Sequence, residues 1–361
     1  MIRVAINGYG RIGRVAHRVI LQKHKSEVEI VAINAGSSTD IKGWMYLLKY
    51  DTNYGPLGPE FEIQSLGITE EEKVGSLKDC IGYLIINDQK IAVFSQKDPS
   101  VLPWKDLGVD IVIESTGHFL TAEKLKMHLT AGAKKVILSA PAKGTDVATY
   151  VLGVNDKNYK GENLINNASC TTNCVAPVAR IMVDHFGVEK AMMTTIHAYT
   201  SDQRLQDGGR KDYRRARTAG QNIIPTSTGA TIAAAEAIPE LSGLFNGLAI
   251  RVPVAVGSLS DFTFILKKST TKEELIEVFK KEAQNPRYNG ILEVTEDPIV
   301  SSDIIGNPHS SVVDLSLIQV VGGNMVKIIA WYDNEFGYAN RLVEEVILVG
   351  SPRGEAGGQT S

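Results

Sequence analysis

The chain has 361 residues, 43% of them hydrophobic and 22% charged, with a formal net charge of −3. That length exceeds one ordinary domain and predicts two, while the near-neutral charge excludes a global attraction to nucleic acid or anionic membrane. Three cysteines, Cys80, Cys170 and Cys174, exclude a disulfide framework. With no 18-residue apolar run and no leader-like segment ahead of the strand-like Ile2, a cytoplasmic protein is expected.

Residues Ile2 to Asn7 read as a short buried strand. Gly8-x-Gly10-x-x-Gly13 follows at once and opens a helical pattern to about Lys23, the setting a dinucleotide fingerprint requires. The first glycine permits a tight turn, the second lets backbone approach a pyrophosphate, and the third allows close helix–strand packing. A second strand, Glu29 to Ile33, runs into Asn34-Ala35-Gly36-Ser37-Ser38-Thr39. An NAD-preferring protein usually places an acid here, about 20 residues beyond the glycines, for the ribose 2′-hydroxyl. Alanine removes the charge that would repel a 2′-phosphate, and the following hydroxyls are able to bond one. Alternatively the segment is a plain loop, and Asp40 takes the hydroxyl.

Asn53 to Gly82 reads as an acidic surface excursion, with Cys80 structural. Leu84 to Ile86 and Ile91 to Phe94 form a hairpin around Asn87-Asp88. The strand Asp110 to Ile113 leads into Glu114-Ser115-Thr116-Gly117, followed by a helix over Ala122 to Ala131 and a strand over Val136 to Ser139. This strand–helix alternation predicts an α/β fold, a Rossmann doubly wound parallel sheet.

Asn166 to Cys174 reads as a strand ending in a turn whose next residues open a helix. Cys170 then sits at the positive helix end, which with a nearby imidazole draws a thiol of ordinary pKa ~8.5 toward thiolate, the nucleophilic form. A buried cysteine acting as a small hydrophobe is the other reading, and the polar flanks disfavour it. Beyond it come strands at Met192 to Ile196, Leu248 to Pro253, Leu259 to Leu266, Val312 to Val320 and Met325 to Trp331, with helices at Thr226 to Ile238 and Thr271 to Ala283. These predict an α+β catalytic domain with a mixed or antiparallel sheet. A last helix, Arg341 to Val349, precedes a glycine-rich tail expected to be disordered from about residue 350. The expected domains are 1–169 and 170–334, with 335–361 carrying the last helix and tail.

Of seven histidines, His197 at a strand end is the best candidate base, while His185 and His309 read as structural. Cys174, one turn beyond Cys170, reads as packing, and no metal site is expected. Arg210 to Arg217 is rich in arginine, but Asp202, Asp207 and Asp212 beside it argue for a solvated face and against nucleic acid.

Ala168-Ser169-Cys170-Thr171-Thr172-Asn173-Cys174 resembles the active-site signature of phosphorylating glyceraldehyde-3-phosphate dehydrogenases. Asn7 to Arg14, Thr194 to Thr200 and Trp331 to Tyr338 extend the resemblance in family order over nearly the whole chain. The resemblance implies Cys170 as nucleophile and His197 as base. Thr200 and Arg251 would hold the substrate's phosphate, and Ser169, Thr171, Arg215, Thr228 and Gly229 the attacking inorganic phosphate. Gly8, Gly10, Arg11, Ile12, Gly13, Asn34, Ala35, Lys97, Ser115, Thr116, Gly117, Asn334 and Tyr338 would bind NAD or NADP, with the last helix packed against the first domain. The implied reaction oxidises D-glyceraldehyde 3-phosphate to 1,3-bisphosphoglycerate, reversibly, in a homotetramer serving glycolysis or gluconeogenesis. Erythrose 4-phosphate as substrate, or a non-catalytic dinucleotide-binding regulator, are the alternatives.

Three positions depart from the family. Ala35 stands where the acid is usual, Gly208-Gly209 replaces a Leu-Pro pair of NAD-preferring bacterial relatives, and Val256 stands where an asparagine is common. The first two open space and remove negative charge near a 2′-phosphate, so acceptance of NADP, or preference for it, is expected. The third puts the support of Arg251 in question.

Overall fold

The computed structural model describes residues 1–351, so the tail beyond Ser351, expected to be disordered, lies outside the described residues. Two compact units are formed. One comprises Met1–Thr149, Asn158–Asn167 and the chain from Leu342, and the other Tyr150–Lys157 and Ala168–Arg341.

In the first unit β1 (Ile2–Asn7), β2 (Val28–Asn34), the small hairpin β3 (Tyr50–Asp51) and β4 (Gly55–Pro56), and β5 (Ile63–Gly67) are followed by β6 (Cys80–Ile86), β7 (Gln89–Phe94), β8 (Ile111–Glu114), β9 (Lys135–Leu138), β10 (Ala148–Thr149) and β11 (Leu164–Asn166). Nine of these form one sheet in the order β10-β11-β9-β8-β1-β2-β7-β6-β5. Its strands run parallel from β10 to β7, and β6 and β5 add an antiparallel edge. Val4, Ala5 and Ile6 of β1 and Val112 and Ile113 of β8 are fully buried, as expected for parallel strands covered on both faces. Helices α1 (Arg11–Val19), continued by a wider turn to His24, α2 (Ile41–Lys49) and α3 (Ala122–Thr130) connect them. Because β2 lies on one side of β1 and β8 on the other, the strand order reverses at β1, and the carboxyl ends of β1 and β8 flank the crevice where such sheets bind ligands.

In the second unit β12 (Val188–Ala198), β13 (Ile224–Ser227), β14 (Phe245–Val252), β15 (Ser258–Leu266), β16 (Leu292–Thr295), β17 (Ser311–Asp314), β18 (Gln319–Val321) and β19 (Met325–Tyr332) form a mixed sheet. Pairs β12–β14 and β16–β17 are parallel, the others antiparallel. Ser258, Ser260, Phe262, Phe264 and Leu266 alternate inward along β15, presenting one face to α4 (Cys170–Phe186). Helices α5 (Ala230–Ala237), α6 (Lys272–Ala283) and α7 (Phe336–Gly350) complete the described elements.

Four segments differ from expectation. The acidic excursion supplies β5, and Cys80 opens β6 as a buried core residue. The run Val312 to Val320 is interrupted at Leu315–Leu317, where the Asp314 carboxylate accepts from the Ser316 N–H (3.2 Å) and hydroxyl (2.6 Å). The helix expected from Thr226 begins at Ala230, because Thr226 and Ser227 pair with Ala249 and Leu248 as strand. Helix α7 begins at Phe336, since Asp333 Oδ1 accepts from the N–H groups of Glu335 (2.9 Å) and Phe336 (2.7 Å). Its residues from Leu342 belong to the first unit, where Lys135 Nζ donates to the Val349 carbonyl at 2.8 Å. No helix of the described residues is long and apolar enough to cross a membrane.

Candidate active site

The first unit builds a cradle at the ends of β1 and β8. Gly8 has φ +95°, and a Cβ there would lie 2.6 Å from the Thr116 nitrogen; one at Gly13 would lie 2.3 Å from the Gly8 carbonyl oxygen. Gly10 faces open space and precedes α1, whose first N–H groups, Ile12 and Gly13 among them, have no acceptor one turn back. Ser115 Oγ donates to the Gly8 carbonyl (2.7 Å), and Thr116 donates to Glu114 Oε1 through its N–H (2.8 Å) and its hydroxyl (2.5 Å). Gly117 follows in the left-handed region (φ +74°). These residues meet the steric demands of a pyrophosphate-binding turn.

Beneath the cradle runs a buried polar network. Trp104 Nε1–H donates to His128 Nδ1 (3.1 Å), so His128 carries its proton on Nε2 and donates it to Glu114 Oε2 (3.1 Å). Asn7 Nδ2 donates to the same oxygen (2.5 Å), and Asn34 Nδ2 donates to Asn7 Oδ1 (2.6 Å) and to the Gln96 carbonyl (2.8 Å). Both amide hydrogens of Asn34, an expected cofactor contact, are thus used inside the protein. The network was not legible in the sequence, where its members lie up to 121 residues apart. The Arg11 side chain pairs with Asp51. At the end of β2, Ala35 is tied by its N–H to the Phe94 carbonyl (2.8 Å), and exposed Lys97 follows Gln96 in the adjoining loop. The acid Asp40 caps α2, its Oδ1 accepting from the Gly43 N–H (2.8 Å). Ser38 Oγ accepts from Trp44 Nε1 (3.0 Å), which leaves its own hydrogen to donate outward.

In the second unit, Ser169 caps α4 by accepting from the Thr172 N–H (3.1 Å), so Cys170 is the first residue of a 17-residue helix. Ala168, before the cap, holds φ +52°, unusual for a residue with a side chain, and Tyr338 Oη donates to its carbonyl (3.3 Å). Cys170 Sγ lies 3.4 Å from Nε2 of His197, near the end of β12. Cys174 is fully buried beneath, and burial pushes its thiol up to about 12.

Arg251 of β14 is the register partner of His197. Its Nη1 lies within bonding distance of three groups, His197 Nδ1 (2.8 Å), the Ala198 carbonyl (3.0 Å) and the Thr200 hydroxyl (3.1 Å). The Ala198 carbonyl, 2.6 Å from His197 Nδ1, is an acceptor only; in the tautomer that donates to it, Nε2 presents a lone pair to the thiol. Burial, reinforced by the Arg251 charge, lowers the imidazole pKa from 6.5 to about 3. Burial also raises the Cys170 pKa, opposed by the Arg251 charge and by hydrogen bonding from the Thr171 backbone N–H. The rise opposes the pull toward thiolate expected of the helix end, and the half-buried thiol faces the imidazole as an acid–base pair placed for proton transfer.

Two of the expected phosphate donors, Thr200 and Arg215, meet at one acid, Asp202. Asp202 accepts from Thr200 Oγ1 and pairs with Arg215 Nη1. Burial works to raise its pKa, but the Thr200 hydroxyl and the Arg251 and Arg215 charges outweigh it and hold the group ionised. Arg215 is further held by Thr226 Oγ1 (2.9 Å) and the Ser227 carbonyl (3.1 Å). Thr228 Oγ1 accepts from the Ala230 N–H (3.2 Å) and Gly229 caps α5 facing open space. The doubt over Arg251 is answered by its two bonds through Nη1, while Val256 is a buried apolar residue. Asn334 Oδ1 accepts from Ser258 Oγ (2.9 Å) and the Gly257 N–H (3.2 Å), which orients its amide nitrogen. No group of three or more metal-ligating side chains among the described residues is placed to hold a metal ion.

A dinucleotide cradle in one unit and a thiol–imidazole pair flanked by arginines in the other define a cofactor-dependent thiol oxidoreductase. The family description "Glyceraldehyde 3-phosphate dehydrogenase, NAD binding domain" matches residues 2–122, and "Glyceraldehyde 3-phosphate dehydrogenase, C-terminal domain" matches residues 169–334. The chain is 48% identical to the glyceraldehyde-3-phosphate dehydrogenase of Mycolicibacterium smegmatis over 97% of its own length and 98% of that protein. It is 48% identical to that of Streptomyces coelicolor (97% and 99% covered) and 47% to that of Mycobacterium tuberculosis H37Rv (97% and 98% covered). The chain belongs to the glyceraldehyde-3-phosphate dehydrogenase family.

Proposed function

We propose that this protein catalyses the reversible phosphorylating oxidation of D-glyceraldehyde 3-phosphate to 1,3-bisphosphoglycerate. The observation that carries the reading is the 3.4 Å approach of Cys170 Sγ to His197 Nε2 at the N-terminus of α4. In this reading His197 Nε2 takes the thiol proton as sulfur bonds to the aldehyde carbon, and the imidazolium returns it to the carbonyl oxygen, giving a hemithioacetal on Cys170. His197 then removes that hydroxyl proton during oxidation. The dinucleotide, when bound, supplies the hydride acceptor. The acyl group on Cys170 passes to inorganic phosphate, whose oxygen bonds to the acyl carbon as the C–S bond breaks and the thiol is regained.

Arg251 and Thr200 would hold the phosphate of the substrate. Arg251 Nε is buried without a partner among the described residues, which suits it to a phosphate oxygen. Ser169, Thr171, Arg215, Thr228 and Gly229 would receive the attacking phosphate, with Asp202 yielding Arg215 to it. Asn334 and Tyr338 would serve the nicotinamide end, and Gly8 to Gly13, Lys97 and Ser115 to Gly117 the rest of the dinucleotide.

NADP is taken to be accepted beside NAD. Ala35 carries no charge, Asp40 is committed to its helix cap, Ser38 has a hydrogen to donate and a Cβ at Gly209 would meet nothing within 4 Å. A cytoplasmic homotetramer is the expected working form.

The test is kcat/KM of the purified protein with glyceraldehyde 3-phosphate, using NADP and NAD in parallel and erythrose 4-phosphate as competing substrate. Turnover should require phosphate, and Cys170→Ser should lose it while still binding cofactor. Substantial phosphate-dependent oxidation by the serine variant would remove the covalent mechanism.

A further inference from the structure

The thiol and the imidazole belong to different elements, Cys170 to α4 and His197 to β12. A single 3.4 Å contact between them does not fix their separation: His197 is held at Nδ1 by the Ala198 carbonyl, and the spacing of α4 from β12 decides how close the thiol comes. The supports meet at one atom. Tyr332 Oη lies 2.9 Å from Oγ1 of Thr171, the residue after Cys170, and 2.8 Å from Oγ1 of Thr195, two residues before His197 on the same strand. Residues two apart on a strand share a face, so Thr195 and His197 turn the same way. The Tyr332 ring also meets the His197 ring edge-on, with centroids 5.9 Å apart and planes at 74°.

Donor counting gives the chain of hydroxyls a direction. Thr195 Oγ1 lies 3.1 Å from the Leu259 carbonyl, which only accepts, so Thr195 donates there. Tyr332 therefore donates to Thr195, and Thr171 to Tyr332. Thr171, Thr195 and Tyr332 are 5%, 0% and 1% exposed, and each hydroxyl hydrogen has an acceptor within the protein. Tyr332 reaches this point from β19, which is separated from β12 by β15, a span of about 10 Å that the length of a tyrosine side chain helps bridge.

We infer that Tyr332 is a positioning residue that sets the distance between the Cys170 thiol and the His197 imidazole by tying the first turn of α4 to β12. The inference rests on the proposed role of that pair. Arg251 from β14 and Asp202 and Arg215 from the segment after β12 also act on the pair, Cys174 lies one turn along α4, and all remain in the variants below.

The measurement is the second-order rate of Cys170 alkylation by iodoacetamide between pH 5 and 10 in the purified full-length protein, with intact mass confirming one adduct. Tyr332→Phe keeps the ring and removes the bridging hydroxyl. Its rate at pH 7 should fall about tenfold, with the profile moving about one unit to higher pH as the thiol loses its base partner. A profile superimposable on that of the unmodified protein, in a variant with an unchanged circular dichroism spectrum, overturns the inference. Should Tyr332→Phe fail to fold, Thr195→Val removes the same bridge from the β12 side and decides by the same two outcomes. Labelling needs no substrate, so a failure here is distinct from failure of the proposed reaction, which phosphate-dependent turnover of the unmodified protein reports.

Discussion

Arg251 Nη1 lies 2.8 Å from His197 Nδ1, and the two residues are register partners on adjacent parallel strands. A permanent cation is thus built against the candidate base, and its charge depresses the imidazole pKa and opposes the rise of the thiol. Arg251→Gln should raise both. A higher imidazole pKa leaves the base protonated up to a higher pH, so the acid limb of the kcat/KM profile should move upward. KM for glyceraldehyde 3-phosphate should rise at least tenfold from loss of a phosphate contact. An unmoved acid limb would show that burial alone sets the imidazole.

His17 is buried in α1 against Tyr9 Oη (2.7 Å from Nδ1), and burial lowers its pKa from 6.5 to about 3. Above pH 6.5 it is neutral folded or unfolded and contributes nothing to pH dependence. As pH falls toward 3, the unfolded chain takes up a proton that the folded chain refuses, so stability drops by about 1.4 kcal/mol per pH unit for this group. His17→Gln should remove one proton from the pH dependence of unfolding between pH 6 and 4.5, read from urea midpoints. An identical slope in both proteins would contradict the burial argument.

Replacing Ala35 with aspartate restores an acid at the end of β2. A carboxylate near the adenosine 2′ position repels a phosphate and accepts from a hydroxyl, so NADP affinity should fall about tenfold or more and NAD affinity should hold or improve. Calorimetric titration of both cofactors into the full-length variant reads the ratio. An unchanged ratio removes Ala35 from the account of selectivity.

Glu114 accepts from Asn7, His128 and Thr116 (twice) with no exposed surface. Glu114→Gln turns one acceptor into a donor facing other donors. Leaving buried donors unpaired costs about 1–3 kcal/mol each, so the urea midpoint should drop by the equivalent of roughly 3 kcal/mol. NAD affinity should fall with it, because Thr116 loses its anchor. A midpoint within error of the unmodified protein would mean water replaces the carboxylate.

Much of this molecule is written locally. The glycine fingerprint, the alternation along β15 and the Ser169-Cys170 helix start each depend on neighbours within a few residues, and each predicts its element. What stayed hidden depends on distant partners. Nothing near Asn34 in the sequence shows that its amide is bonded to Asn7 and Gln96. Asp202 reads as a solvated acid until Arg215 folds back to it across 13 residues. Tyr332 lies inside a recognised block, yet its tie to Thr171 spans 161 residues and no spacing rule reveals it. The break at Leu315–Leu317 was legible in principle, since Asp314-Leu315-Ser316 carries a capping acid two residues before a serine, but the apolar content around it reads as one strand.

The strand that carries His197 is eleven residues long and is paired along both edges, to β14 on one side and β15 on the other. Its amides have no frayed edge through which to exchange, so their protection should equal the global stability of the second unit rather than that of a local opening. The base is therefore mounted on the last part of that unit to yield. Loss of activity through displacement of His197 and cooperative melting of the sheet should follow a single denaturation curve, with no inactive species retaining the β12 hydrogen bonds.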